Sequence, residues 1–259
     1  NPDSRDIRLD NVVVTHGYAD GNGIDATGAG IFVKSGNPRL EFVGVLDNYS
    51  KSHGAGIFVA ENGGLDTMKN CLIQGSVSST GSGAGLHYRG SVQLLIVASI
   101  FDNNSTKDTS NTLGGSAIYF KGNRADFINT VFANNKSSSI KGAVLNDAGT
   151  LYVMNCTFAF NTGNGAVSIC NSNNGSTEVL NSILWNAGGK NEVDGGSFTV
   201  NYSTITNGHS GTGNLAGDPK FIDASKPAGK NERWGDFDDG LRLSETSPCR
   251  NTGYFYNVL

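Results

Sequence analysis

Side-chain oxygens are closely spaced in one segment near the start of the chain. Asp20, Asn22 and Asp25 lie within DGNGID, at residues 20–25. Carboxylate and amide oxygens at such spacing are the ligands that calcium-binding loops present to Ca²⁺. The later bidentate glutamate of those loops is missing, and Asp-Gly-Asn-Gly is also ordinary turn chemistry. Ca²⁺ at these three residues is the one cofactor that the sequence suggests, and a plain turn with no cofactor is the alternative.

The remaining acids predict no catalytic pair. Hydrolysis of a glycosidic bond uses two carboxyl groups that flank the bond. Along the repeat described below, Asp47 and Asp102 are expected to share a column, two turns apart and with no acid between them. Three further acids are expected to share no column: Asp10, Glu41 and Glu178. The one dense acidic cluster lies near the C-terminus, at Asp236, Asp238 and Asp239.

The histidines predict no nucleophilic triad. A triad needs a histidine within hydrogen-bond reach of a nucleophile, and the GxSxG motif of one such family is absent. The four histidines are expected to lie in separate turns of the repeat, as exposed loop residues: His16, His53, His87 and His209.

The elements that carry these side chains come from an internal repeat. The sequence GAGIF occurs twice, at residues 28–32 and 54–58. Related units recur at intervals of 23 to 32 residues: Gly30-Ile31-Phe32, Gly56-Ile57-Phe58, Gly85-Leu86-His87, Ala117-Ile118-Tyr119, Ala143-Val144-Leu145 and Ala166-Val167-Ser168. Apolar residues alternate with polar ones inside each unit, which is the period of a strand. A repeat of this length with strand periodicity predicts a parallel β-solenoid.

A second element precedes each unit and gives every column a physical role. It begins at Asn70, Asn129, Asn155 and Asn181, with looser copies at Asn11, Val43, Ala98 and Tyr202. Asparagine suits a bend because it tolerates the left-handed backbone conformation. Three positions later comes an apolar column that we expect to form the core: Val14, Leu46, Ile73, Phe101, Phe132, Phe158, Leu184 and Ile205.

The same alternation predicts an aromatic stripe on the outside of the solenoid. The outward positions of the third strand are Phe32, Phe58, His87, Tyr119 and Leu145. One interpretation is a self-stacking ladder that shields the strand. The other is a partly exposed platform for sugar rings or a protein partner, and it makes Phe32, Phe58, His87 and Tyr119 the candidate binding residues. Loops at residues 19–27 and 77–82 would form its rim.

The cysteines predict no metal site and little cross-linking. No CxxC pair exists among Cys71, Cys156, Cys170 and Cys249. Cys71 and Cys156 share a column three turns apart, roughly 14 Å at the usual strand spacing, and are expected to be buried free thiols. Cys170–Cys249 is the only bridge that we would entertain.

Composition supports an all-β chain without nucleic-acid or membrane chemistry. The 259 residues include 36 glycines and five prolines, and only 16% are charged. The net charge of −4 and the lack of a Lys/Arg run argue against nucleic acid as a partner. The longest apolar stretch, residues 94–101, is too short to span a bilayer. No signal peptide is evident, and residues 5–14 look like a strand already under way, so we expect a piece of a larger protein.

The C-terminal sequence resembles a known family. Residues 211–223, GTGNLAGDPKFID, and 241–253, LRLSETSPCRNTG, are similar to the C-terminal signature of bacterial secreted right-handed parallel β-helix proteins, the pectin-lyase-like group of the choice-of-anchor type. The segment NSILWN at 181–186 matches as well. The resemblance implies the fold and an extracellular or cell-surface location. It implies no single activity, because this fold carries lyases, hydrolases, adhesins and passive stalks.

We therefore predict a single-stranded right-handed parallel β-helix of about eight rungs over residues 1–206, continuous with a C-terminal cap over 207–259. Trp234, Phe237, Leu241 and Leu243 are expected to cover the last rung. The predicted function is a non-catalytic surface or secreted module for glycan or partner binding, or for structural display, in a monomer or part of a larger chain. The alternative is a polysaccharide lyase or glycoside hydrolase acting on acidic polysaccharide.

Overall fold

The structure, a computed structural model, describes residues 7–110, 112–186 and 190–255. Four parallel sheets, A to D, run along the solenoid. The first five rungs visit all four in that order, and the later described rungs have no sheet C strand. The strands form the right-handed parallel β-helix that the sequence predicted, with about seven turns where about eight rungs were expected. Among the described residues, the one helical element is a 3₁₀ turn at Gly23–Ala26, and no helix is long and apolar enough to cross a membrane.

Among the described residues, sheets A, B, C and D have eight, nine, five and seven strands. Sheet A contains Arg8–Asp10, Arg39–Glu41, Thr67–Lys69, Leu94–Val97, Arg124–Ile128, Thr150–Met154, Ser176–Leu180 and Ser197–Asn201. Sheet B contains Val13–Thr15, Gly44–Leu46, Leu72–Gln74, Ile100–Asp102, Val131–Ala133, Thr157–Ala159, Ile183–Trp185, Thr204–Ile205 and Leu215–Ala216. Sheet C contains Tyr18–Ala19, Tyr49–Ser50, Val77–Ser78, Ser105–Thr106 and Lys136–Ser137. Sheet D contains Ile31–Val33, Ile57–Val59, Leu86–Tyr88, Ile118–Phe120, Val144–Asp147, Ile169–Ser172 and Val193–Asp194.

The corner between sheets A and B explains the asparagine column. One residue per rung has a left-handed backbone there, with φ between 47° and 54°: Asn11, Phe42, Asn70, Ala98, Asn129, Asn155, Asn181 and Tyr202. The sequence pattern predicts Val43 at this bend in the second rung, but the residue that occupies it is Phe42. The core column is corrected in the same rung, because Val45 and not Leu46 pairs with Ile73. A β-branched or aromatic residue is a poor signal for a left-handed bend, which is why the register slipped by one.

The core column is otherwise confirmed. Ile73, Phe101, Phe132 and Phe158 are in parallel register on consecutive rungs and have no exposed surface. The rings of Phe101 and Phe132 stack at 5.4 Å, and those of Phe132 and Phe158 stack at 4.4 Å. Burial of these large, flat rings contributes apolar area to the core in the middle of the solenoid.

A buried asparagine ladder follows the corner between sheets B and C. Its members are Asn48, Asn104, Asn135, Asn161 and Asn186. The backbone N–H of Asn104 donates to Oδ1 of Asn135, and the backbone N–H of Asn135 donates to Oδ1 of Asn161, at 3.1 and 3.0 Å. The side-chain amides satisfy backbone groups that the sharp corner removes from the strand ladders.

The repeated GAGIF has two different glycine roles. Gly28 and Gly54 have φ of 60° and 57°, a conformation that glycine adopts without steric cost. At Gly56 an added Cβ would lie 2.6 Å from the carbonyl oxygen of Gly85 on the next rung. The sequence predicts the sixth repeat unit two residues too early. In the structure Ile169, and not Val167, pairs with Val144.

The C-terminal segment differs from the predicted cap. Leu215–Ala216 extends sheet B beyond Thr204–Ile205, but Phe237 is 92% exposed and covers no rung. Residues 225–229 and Glu232 instead face Gln74 and Asp102 on the outside of sheet B. This part of the segment therefore lies along the side of the solenoid. The segment contains no repeat, so apolar periodicity does not predict its path.

The cysteine prediction is confirmed for the shared column. Cys71 and Cys156 are buried free thiols, each within sulfur hydrogen-bond range of backbone carbonyl oxygens. Cys170 and Cys249 are also free, so the structure contains no bridge between them.

Candidate functional site

The aromatic stripe exists as a stack, but it is not an exposed platform. Phe32, Phe58, His87 and Tyr119 are in parallel register on consecutive strands of sheet D. Their ring centroids lie 5.4, 5.0 and 4.3 Å apart, with interplanar angles of 2°, 9° and 11°. Only 8% of Phe58, 4% of His87 and 8% of Tyr119 is exposed, so the expected partial exposure is wrong for these three. Each of Phe58 and His87 is covered on both faces by the rings of the neighbouring rungs.

The stack continues into a hydrogen-bonded carboxylate. The hydroxyl of Tyr119 donates to Oδ2 of Asp147 at 2.6 Å, and Lys121 lies 3.4 Å from the same oxygen. Burial raises the pKa of Asp147, but the hydrogen bonds from Tyr119 and Asn173 and the charge of Lys121 outweigh it and leave the pKa below its usual range. The carboxylate is therefore a structural anion and not a poised proton donor.

Two histidines that the sequence placed in separate exposed loops meet at one serine. The rings of His53 and His87 are 4.5 Å apart, and the hydroxyl of Ser82 lies 3.2 and 3.1 Å from their Nδ1 atoms. The backbone N–H of Ser82 donates to Nδ1 of His53, so that nitrogen carries no proton. Nδ1 of His87 lies 3.2 Å from the carbonyl oxygen of Ser82, which only accepts, so that nitrogen carries one.

This cluster is built to stay neutral. Burial, followed by the charge of His53, holds the pKa of His87 well below its ordinary value of 6.5. Burial and the nearby Arg89 lower the pKa of His53, against a smaller opposing effect of Asp108. Ser82 has no exposed surface, so a substrate cannot reach its hydroxyl. The serine and histidines therefore form a buried hydrogen-bonded cluster, and the expectation of separate, exposed histidines is wrong for His53 and His87.

The cluster predicts an acid-sensitive fold. Unfolded His87 takes up a proton as the pH falls through its ordinary pKa, whereas folded His87 resists protonation because its pKa is lowered, so the stability from this group is present above that pH and is lost as the pH falls. Because of this group, the free energy of unfolding should be lower at pH 5 than at pH 7. Urea titrations at both pH values measure it. His87→Phe keeps the ring stack and should flatten the dependence; an unchanged dependence would contradict the assignment.

A groove crosses the outer edge of this stack at its first three rungs. Its volume is about 560 Å³, and the edge of Phe58 forms part of its floor. Gly23, Ile24 and Thr27 line one side, so the loop at 19–27 borders the groove as predicted, whereas the predicted rim loop at 77–82 contributes no lining residue. His53 lines the same groove beside Phe58.

The opposite side of the groove carries charge. Val33, Val59 and Tyr88 are in register, so the residues that follow them, Lys34, Ala60 and Arg89, come side by side. Arg89 forms an ion pair with Glu61, and all of these side chains after the strands line the groove. Among the described residues, no carboxylate lies within ion-pair distance of exposed Lys34. The lining therefore combines two cationic side chains and one anionic side chain with the apolar side chains of Ile24, Phe58 and Ala60.

The predicted Ca²⁺ ligands lie next to this groove. Asp20, Asn22 and Asp25 are exposed, and the turn that holds them is closed by the N–H of Asp25 donating to the carbonyl of Asn22 at 3.3 Å. Within the described ranges, no group of three His, Cys, Asp or Glu side chains could hold a metal. Ca²⁺ binding by two aspartates and an asparagine stays a prediction.

The structure revises two expectations about acids. Asp10 and Glu41 do share a register position, and Arg8 bridges them at 2.9 and 2.7 Å. Asp102 pairs with Gln74 in sheet B, whereas Asp47 lies at the following corner, so these two acids do not share a column. The guanidinium of Arg8 contacts both carboxylates, so the Asp10–Glu41 pair is part of an ion-pair cluster on sheet A.

Comparisons of the chain with protein-family models, with curated proteins and with solved structures return no match.

Proposed function

We propose that the protein is a non-catalytic β-helix module that binds a glycan in the groove over Phe58. The supporting observation is that the apolar side chains of Ile24, Phe58 and Ala60 line one groove together with the charged side chains of Lys34, Arg89 and Glu61. Sugar rings have apolar faces that suit aromatic and aliphatic surface, and hydroxyl and carboxylate groups that suit charged side chains. A groove of about 560 Å³ is large enough for a few sugar units.

The charge of the groove favours an acidic glycan. Lys34 and Arg89 exceed Glu61 by one positive charge, while His53 is neutral near pH 7 because its pKa is lowered. An arginine can hold a carboxylate through two parallel hydrogen bonds. Arg89 would have to exchange Glu61 for the ligand, which is feasible because an exposed ion pair contributes little to stability.

Arg89→Ala should weaken binding of a hexamer of galacturonic acid about tenfold or more, since a charge-assisted contact is lost. Titration calorimetry with that hexamer and with neutral maltohexaose measures it. Arg39→Ala is the matched control, because Arg39 is also paired with an acid, Asp66, but lies on sheet A away from the groove. If Arg89→Ala and the wild type bind the galacturonic acid hexamer with equal affinity, the binding site lies elsewhere on the protein. If the protein binds no glycan on an array, the proposed function is wrong.

The same samples decide between binding and catalysis. A polysaccharide lyase would release unsaturated products from polygalacturonate, and a hydrolase would release new reducing ends. Arg89 is engaged by Glu61 and the described acids near the groove do not form a pair across it, which supports a binding role. Product release above the rate of a heat-denatured sample would replace the proposal with the enzymatic alternative.

A secreted or cell-surface location and membership of the choice-of-anchor group belong to the same proposal. The parallel β-helix and the C-terminal sequence at 211–223 support them. A surface-displayed module of this kind would act as an adhesin or a carbohydrate-binding arm.

A further inference from the structure

A second cleft lies on a different side of the solenoid. It has a volume of about 440 Å³ and lies between the outer side of sheet B and the C-terminal segment around residues 225–232. Gln74, Asp102 and Asn134 form its floor, and Phe160 forms one wall. The groove described above is on sheet D, so the two sites share no lining residue.

The floor of this cleft is a fixed row of polar groups. The side-chain amide of Gln74 donates to Oδ2 of Asp102 at 2.7 Å, and that of Asn134 donates to Oδ1 at 2.8 Å. Asp102 is only 5% exposed, so these two bonds hold its carboxylate in one orientation. The amide carbonyls of Gln74 and Asn134 stay available as acceptors, and each amide has a second N–H to donate.

Asn103 extends the row at the corner between sheets B and C. It is exposed, has φ of 51°, and lines the cleft beside Asn134. Each side-chain amide of this row carries a hydrogen-bond donor and an acceptor. This suits the hydroxyl groups of a ligand, because a hydroxyl both donates and accepts a hydrogen bond. The wall formed by Phe160 offers an apolar ring to the C–H face of a sugar.

The charge of the cleft separates it from the first groove. Lys136 and Lys226 are balanced by Asp102 and Glu232, so the lining is neutral overall. A neutral lining with a buried carboxylate on its floor disfavours an anion and suits an uncharged ligand with several hydroxyls.

We propose that this cleft is a second carbohydrate site, which takes one or two neutral sugar units. The C-terminal segment supplies its outer wall, so the site depends on the packing of that segment against sheet B. The proposal rests on this cleft alone and is independent of the function assigned to the groove over Phe58.

Saturation-transfer NMR with glucose, galactose, mannose and N-acetylglucosamine at millimolar concentration tests the proposal, with galacturonate as the charged probe. The wild-type protein should transfer saturation to at least one neutral sugar. Gln74→Leu and Asn103→Gly should weaken that binding about tenfold, the second without backbone strain because glycine tolerates this φ.

Gln93→Leu is the matched control. Gln93 makes the same bond elsewhere, from its amide to Oδ2 of Asp126 at 2.7 Å, and this variant should bind as the wild type does. No transfer to any neutral sugar, transfer to galacturonate alone, or undiminished transfer in folded Gln74→Leu and Asn103→Gly would each overturn the assignment.

Discussion

Asn135→Ala should lower the free energy of unfolding by about 3 kcal/mol or more, because several buried groups lose their partners at once. Oδ1 of Asn135 accepts from the backbone N–H and the side-chain amide of Asn104. Its own amide donates to the carbonyl of Phe101 at 2.8 Å and to Oδ1 of Asn161 at 2.9 Å. The residue has no exposed surface, so water cannot replace these bonds without opening the corner.

Urea denaturation followed by circular dichroism measures this loss. Asn123→Ala is the control, since Asn123 is exposed and its amide makes one long bond of 3.5 Å to the carbonyl of Ser91. That variant should stay within about 0.5 kcal/mol of the wild type. Equal stability of the two variants would mean that the asparagine ladder does not hold the corners together.

Phe132→Ala is expected to destabilise the protein by about 3–5 kcal/mol. Phe132 lies between Phe101 and Phe158 in the core stack, and none of the three rings is exposed. Truncation leaves a cavity that the parallel strands on either side cannot close, because their spacing is fixed by hydrogen bonds.

Phe237→Ala provides the contrast for this prediction. Phe237 is 92% exposed, so its removal should change the free energy of unfolding by less than about 0.5 kcal/mol. Thermal and urea unfolding of both variants measure the difference. Similar losses for the two phenylalanines would show that the interior of the solenoid is not the core stack described above.

The periodic parts of the fold could be predicted from the sequence. Asn70, Asn129 and Asn155 mark left-handed bends because asparagine favours them, and Phe132 three positions after Asn129 is core. The predicted register is wrong where the local signal is weak. Phe42 occupies the same left-handed bend although phenylalanine has no preference for it, so the sequence predicts Val43 at this position, one residue too late. The sixth repeat unit also has a weak local signal, so the sequence predicts Val167 at the position that Ile169 occupies.

The site was less predictable than the fold. Strand alternation gives the direction of Phe58 and His87 but does not say what covers them, and in the structure the neighbouring rings do. The contact between His53 and His87 depends on the loop that carries His53, because His87 itself lies on a sheet D strand, and this contact has no period in the sequence. The cleft beside Asp102 needs the path of the C-terminal segment, which carries no repeat at all.

Glycan binding in the groove over Phe58 is the central claim, and a crystal structure with a bound oligogalacturonide tests it most directly. The account predicts density for sugar units between Ile24 and Arg89, with a carboxylate in contact with the guanidinium of Arg89. Density for the ligand at another surface, in crystals whose groove is open to solvent, would contradict it.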